Sequence, residues 1–131
     1  MSEASITVRI AAASPEADLA AAVWPGVGSV TYPHVEWATQ IEQADAHITR
    51  WERLRGIRPG RVEIRPLIES TRGVTHMPEI ASSSPRVRAV GLGQGIALEV
   101  GDEALNYARS ECELHARAYG IVLLDPFVPH D

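Results

Sequence analysis

Lysine is absent from this chain: all 12 of its Lys and Arg residues are arginine. That excludes a Schiff-base lysine and the lysine of a phosphate-binding P-loop. A single cysteine, Cys112, excludes an internal disulfide and a cysteine-rich zinc site, and it points to a reducing, cytoplasmic setting. Aromatic residues make up only 5% of the chain. No apolar run approaches the roughly 18 to 20 residues of a membrane span, and Met1-Ser2-Glu3-Ala4 has neither the basic region nor the apolar stretch of a signal peptide. A strong excess of one charge is missing too. The 17 acids and 12 bases leave a formal −5 without long blocks, so there is no electrostatic footprint for nucleic acid or an anionic membrane. What is there, 131 residues with 45% hydrophobic and 22% charged, suits one globular domain over 1–131.

Ile6, Val8 and Ile10 alternate with Thr7 and Arg9, which predicts a strand, and Ser14-Pro15-Glu16 then opens a helix, with Ser as N-cap and Pro at its first position. That helix, over Asp18 to Val23, stops before Pro25-Gly26. A second strand runs from Gly28 to Tyr32. From Trp37 the apolar positions Ile41, Ala44, Ile48, Trp51 and Leu54 mark one face of a long helix, with Gly56 as its stop. Val62 to Ile68 is a third strand, Met77 to Ser83 a short helix and Val87 to Leu92 a fourth strand. Gly91, Gly93 and Gly95 make a turn of the kind that cradles phosphate, but the pattern is not the dinucleotide fingerprint and reads rather as a flexible loop. A last long helix, Glu103 to Tyr119, carries Leu105, Ala108 and Cys112 on one stripe and ends at Gly120 before a fifth strand, Ile121 to Leu124. Alternating strands and helices predict an α/β fold of about five parallel βα units. A (β/α)₈ barrel usually takes about 250 residues, so these units make a small open sheet or part of a barrel. Its unpaired edges make self-association a physical expectation.

In either architecture functional side chains collect beyond the C-terminal ends of the strands. Those positions hold Arg9, then His34 and Glu36, then Glu69 and Arg72, then Gln94, then Asp125. Glu69 and Arg72, three apart, also suit a simple surface ion pair. His34 and Glu36 suit a replacement metal or acid/base pair. His47, His76, His115 and His130 lack metal-ligand spacing and read as solvated or structural. Seven arginines, Arg50, Arg53, Arg55, Arg58, Arg61, Arg65 and Arg72, read as a solvated helix face and loop, or else as a dock for a CoA phosphate or an acidic protein surface.

The segment Pro66-Leu67-Ile68-Glu69-Ser70-Thr71-Arg72-Gly73, with Pro78-Glu79-Ile80-Ala81 and Ser84-Pro85-Arg86-Val87, resembles the central signature of the HpcH/HpaI aldolase and citrate lyase β-subunit family, whose versions read LIETARG, EIA and SPRV. Val8-Arg9-Ile10 is similar to that family's VRVN strand and Tyr32-Pro33-His34-Val35-Glu36 to its LPKVES strand end. Leu105 to Gly120, with Tyr107-Ala108-Arg109-Ser110, resembles the helix after its GAEDL motif. The resemblance implies a partial TIM-type barrel and Mg²⁺-dependent lyase or aldolase chemistry on an oxo acid or acyl-CoA, through an enolate stabilised by the metal. By motif match Glu69 is a metal ligand and catalytic residue, and Arg9 the catalytic arginine that clamps the substrate carboxylate. Arg72, His34, Glu36 and Gln94 fall around the substrate.

The departures point the other way. Counting from the signature glutamate puts Gly95 where the family has its second metal ligand, an Asp, and Gln94 where it has the preceding Glu. The family's Lys is His34 here, its Ser is Trp37 and its Asn is Ala11. The early acidic LEDAV motif has no counterpart, and the match runs from the family's third strand to before its eighth. Weak or lost Mg²⁺ binding is therefore expected. The chain reads either as a lyase with a degraded site or as a non-catalytic paralogue that forms a homo-oligomer or binds a partner chain completing the barrel.

Overall fold

The computed structural model describes residues 6–11 and 13–126; of the positions weighed above, Met1 to Ala4 and His130 lie outside the described residues. Strand β1 (Ile6–Arg9) leads to α1 (Pro15–Ala22), and β2 (Val27–Tyr32) to α2 (Ala38–Leu54). Strand β3 (Glu63–Ile68) leads to α3 (Thr71–Thr75) and α4 (Met77–Ala81), and β4 (Ala89–Leu92) to α5 (Gly95–Glu99), α6 (Asp102–Tyr119) and β5 (Val122–Leu124). All neighbours pair in parallel, in the order β1-β2-β3-β4-β5. The α/β fold with about five parallel βα units is thus as the sequence predicts.

Parallel strands taken in sequence order, joined by right-handed crossovers, put the helices on one face of the sheet. The pleat records this: Ile64, Pro66 and Ile68 of β3 are buried, while Glu63, Arg65 and Leu67 are only half-buried. The buried side meets Ile41 and Ile48 of α2, Met77 and Ile80 of α4, and Cys112 of α6 in one core. Burial of each large side chain contributes about 1.5–3 kcal/mol. On the other face Arg9, Thr31 and Arg65 stand in one row across β1, β2 and β3, and Val122 and Leu124 of β5 are 59% and 45% exposed.

Several local expectations change. Helix α1 begins at Pro15 with Ser14 at its N-cap position, as the sequence predicts, but Ser14 gives it no side-chain cap; the Asp18 carboxylate accepts from the Ala11 N–H at 2.6 Å. Helix α3 was not foreseen, because its five residues contain Gly73 and show no full apolar period. The Gly-rich stretch is not a flexible loop. Gly91 lies in β4 and Gly95 opens α5, and each backbone passes close to a neighbour: a Cβ on Gly91 would fall 2.6 Å from Leu67 Cδ2, and one on Gly95 2.8 Å from Glu69 O. These glycines serve close approach rather than mobility.

The arginine run is also not uniformly solvated. Arg55 is sandwiched between the Trp24 ring at 3.7 Å and the Trp51 ring at 4.3 Å, and donates to Ala20 O and Val23 O. It ties the carbonyl end of α1 to α2, a favourable place for a cation. Deeper still, Arg86 donates to Asp45, to both carboxylate oxygens of the fully buried Glu52, and to Thr49 and Val62 O. Glu52 in turn accepts from the Gly60 and Val62 amides, each at 2.9 Å.

Candidate functional site

Parallel strands aim their C-terminal ends at one rim, and the sequence places Glu69 there directly after β3. Its carboxylate is mostly buried, with 14% of the side chain exposed. Oε2 accepts the His34 backbone N–H at 2.9 Å, and the His34 ring Nδ1 lies 3.4 Å from the same oxygen. His34 achieves this with φ at +56°, a left-handed conformation that costs a non-glycine residue free energy and is found mainly at constrained sites. Glu69 lies directly over Gly93, where any added side chain would meet its Oε1 at 2.8 Å. The Gly93 N–H donates to Ile68 O at 2.8 Å and so fixes that approach.

A second cluster stands beside the first. The Ser70 hydroxyl donates to Glu36 Oε2 at 2.7 Å, and as N-cap of α3 its oxygen accepts the Gly73 N–H. Arg72 lies 3.8 Å from Glu36 Oε1 and 5.7 Å from the Trp37 ring. The His76 ring packs on Trp37 with centroids 4.5 Å apart, and its Nδ1 bonds Glu36 O at 2.9 Å. Gln40 Oε1 accepts the Glu36 and Trp37 N–H groups, which holds the loop before α2. Glu36, Ser70, Arg72, His76 and Glu99 line a cavity of about 480 Å³.

The pairings therefore cross those the spacing suggested. Glu69 pairs with His34 rather than with Arg72, and Glu36 pairs with Arg72 rather than with His34. Arg9 is exposed at the end of β1, and among the described residues no hydrogen bond or ion pair joins it to Glu69. Gln94 is an exposed residue at the start of α5. Asp125 bonds Arg109 at 2.9 Å. Sequence reasoning missed Ser70 as the hinge between Glu36 and α3, although a serine three residues before Gly73 is a recognisable cap signal. It also missed the Glu99 carboxylate, which accepts the Thr71 N–H at 2.7 Å.

Mg²⁺, which the resemblance implies, takes hard oxygen ligands and is commonly held by one or two carboxylates with substrate and water. Here Glu69 offers one carboxylate. Both oxygens of Glu36 are engaged by Ser70 and Arg72, and at Gly95 an aspartate would clash with the Glu69 backbone unless α5 shifted. Among the described residues no group of three or more His, Cys, Asp or Glu side chains could hold a metal. The donor set does not fit a Mg²⁺ ion held by the protein alone.

The chain has relatives along much of its length. It is 36% identical over 67 residues, 51% of this chain and 21% of the relative, to the L-malyl-CoA/β-methylmalyl-CoA lyase of Rhodobacter capsulatus. It is 30% identical over 115 residues, 82% of this chain and 40% of the relative, to citrate lyase subunit β of Haemophilus influenzae. The solved citrate lyase β subunit of M. tuberculosis, complexed with oxaloacetate and magnesium, superposes with a TM-score of 0.67 at 23% identity, over 91% of this chain and 53% of that one. These relatives are longer, and the chain matches between about a fifth and a half of each. The model of the HpcH/HpaI aldolase/citrate lyase family matches residues 1–130, and the chain belongs to that family.

Proposed function

We propose that this chain is an oxo-acid-binding member of the lyase family in which Mg²⁺-dependent carbon–carbon cleavage is weakened or lost. The observation that carries the reading is Glu69. It keeps the strand-end position of the family signature, yet its carboxylate is clasped by His34 and, among the described residues, belongs to no group of three or more side chains that could hold a metal. Arg9 offers a bidentate fork for a substrate carboxylate. Its strand lies two strands from β3, about 10 Å across the sheet, a gap that a four-carbon dicarboxylate and two long side chains span. Arg65 adds positive charge in the same row, and its buried Nε has no hydrogen-bond partner among the described residues. Glu69 and His34 can hold or pass one proton between Oε2 and Nδ1, and Arg72, Glu36 and Gln94 shape the rim. An acyl-CoA thioester, the substrate class that gives the malyl-CoA lyase relative its name, is the other ligand the family suggests. The uncovered sheet face is completed by a second copy or a partner chain in a cytoplasmic assembly.

The test is a calorimetric titration with oxaloacetate, with and without Mg²⁺, on the chain and on its Arg9→Gln and Glu69→Gln variants. The expected result is oxaloacetate binding without Mg²⁺, weakened about tenfold in Arg9→Gln. Mutually dependent Mg²⁺ and oxaloacetate binding that vanishes in Glu69→Gln would overturn the loss of the metal and indicate a working lyase site. The alternative reading, a non-catalytic partner-binding paralogue, gains if oxaloacetate fails to bind under either condition.

A further inference from the structure

The opposite end of the sheet holds two tight turns of the same design. Trp24-Pro25-Gly26-Val27 closes with Val27 N–H donating to Trp24 O at 3.1 Å, and Arg58-Pro59-Gly60-Arg61 closes with Arg61 N–H donating to Arg58 O at 3.0 Å. Gly26 and Gly60 have φ of +100° and +89°, which makes both Pro-Gly type II turns. One turn enters β2 and the other enters β3. Between them lies a cavity of about 590 Å³, lined by Trp24, Ile57, Arg58 and Arg61, within the roughly 300–1,000 Å³ range of small-ligand sites.

Both walls are rigid. The Trp24 ring is backed by the Arg55 guanidinium, itself fixed by two carbonyls and by Trp51. Trp24 remains 50% exposed, which leaves ring surface open to a ligand. The second turn is anchored by the buried Glu52, whose carboxylate accepts the Gly60 and Val62 amides, while Arg86 holds Glu52 from behind. Arg58 and Arg61 are the first and last residues of that turn, so their α-carbons lie within about 7 Å, and both line the cavity. Both are exposed, and neither side chain has a hydrogen-bond or ion-pair partner among the described residues.

We infer that this cavity binds a nucleoside phosphate, with the base stacked on Trp24 and the phosphate gripped by Arg58 and Arg61. A pinned indole suits a flat heteroaromatic ring, and paired guanidinium groups match phosphate oxygens bidentately. The site is distinct from the Glu69 rim: six residues of β3 separate them, about 20 Å. It therefore stands whether or not the proposed oxo-acid function holds.

The experiment is a titration of the full chain with AMP, read by calorimetry and tryptophan fluorescence, with adenosine in parallel and with the double variant R58Q/R61Q, whose fold is checked by circular dichroism. The expected result is saturable AMP binding, adenosine at least about tenfold weaker, and a loss of at least about tenfold in the variant. Salt should weaken AMP binding to the parent far more than to the variant. Coenzyme A, which carries the same chemistry at its nucleotide end, forms a second arm: binding of both AMP and coenzyme A, lost together in R58Q/R61Q, supports a site that reads the nucleoside phosphate. No AMP binding up to millimolar concentration, binding unchanged in R58Q/R61Q, or binding of coenzyme A alone would each overturn the inference.

Discussion

A charged residue on an apolar helix stripe is where this sequence misleads most, and Glu52 is the instance. It sits four residues after Ile48 on the buried face of α2, yet it reads from sequence as part of a solvated, arginine-rich surface. Only the fold brings Arg86 to it from a segment 34 positions away, and that separation leaves no local signal. Glu69, by contrast, was legible from its motif, although its true partner, His34, depends on a left-handed backbone that no residue pattern announces. Breaking a buried pair strands the surviving charge, so Arg86→Leu should lower stability by about 3–5 kcal/mol in urea denaturation. The pH dependence follows from the same network. Burial raises the pKa values of Asp45 and Glu52, but hydrogen bonds from Arg86, joined by Ser84 and Thr49 at Asp45 and by the Val62 and Gly60 amides at Glu52, override it and hold both below their ordinary 3.8 and 4.5. A lowered carboxyl pKa gives stability that is complete above the ordinary value and lost as pH falls through the folded-state value. Denaturation midpoints should therefore fall as pH drops below about 4.5, and Glu52→Gln should flatten that slope; a midpoint indifferent to acid would contradict the network.

Long elements were legible because their periodicity runs far enough to outweigh single residues. Helix α2 was expected from Trp37 with a stop at Gly56, and it spans Ala38–Leu54 with Gly56 at a φ of +71°. The spacing erred only at its last apolar position: Leu54 is 65% exposed, since the stripe drifts by the last turn. Short elements failed for the opposite reason. Helices α3 and α5 have five residues each, less than two turns, and glycine in both argues locally against a helix. Tertiary contacts decide them, through the Ser70 cap on α3 and the packing of Gly95 against Glu69. Ala44, buried at 2% in the middle of α2, tests the long element. Ala44→Pro removes a hydrogen bond and forces the ring against the preceding turn, at a cost of about 3 kcal/mol or more. Far-ultraviolet circular dichroism should show lost helix and an earlier melt, whereas a change confined to a surface segment would leave both nearly intact.

The whole molecule is a sheet with helices on one side, and its behaviour turns on the other side. The order of the family motifs made the succession of βα units legible, and the strand count alone predicted open edges. Which residues occupy the uncovered face was not legible, because a one-residue change of strand register exchanges the two faces. The structure fixes the parity: Arg9, Thr31 and Arg65 share that face toward β1, and Val122 and Leu124 stand exposed on β5. One side is cationic and the other apolar. Among the described residues strands β1 and β5 pair on one side only, so their outer edges present backbone groups that invite another strand. Isolated at micromolar concentration, the chain should therefore self-associate, with light scattering giving a mass above that of one chain. If the apolar end of the face is what docks, Leu124→Arg places a charge in the contact and should shift the mass toward the monomer without changing the circular dichroism spectrum. A parent chain that is already monomeric would mean that its polar edge and Arg9–Thr31–Arg65 row suffice to keep the face in water.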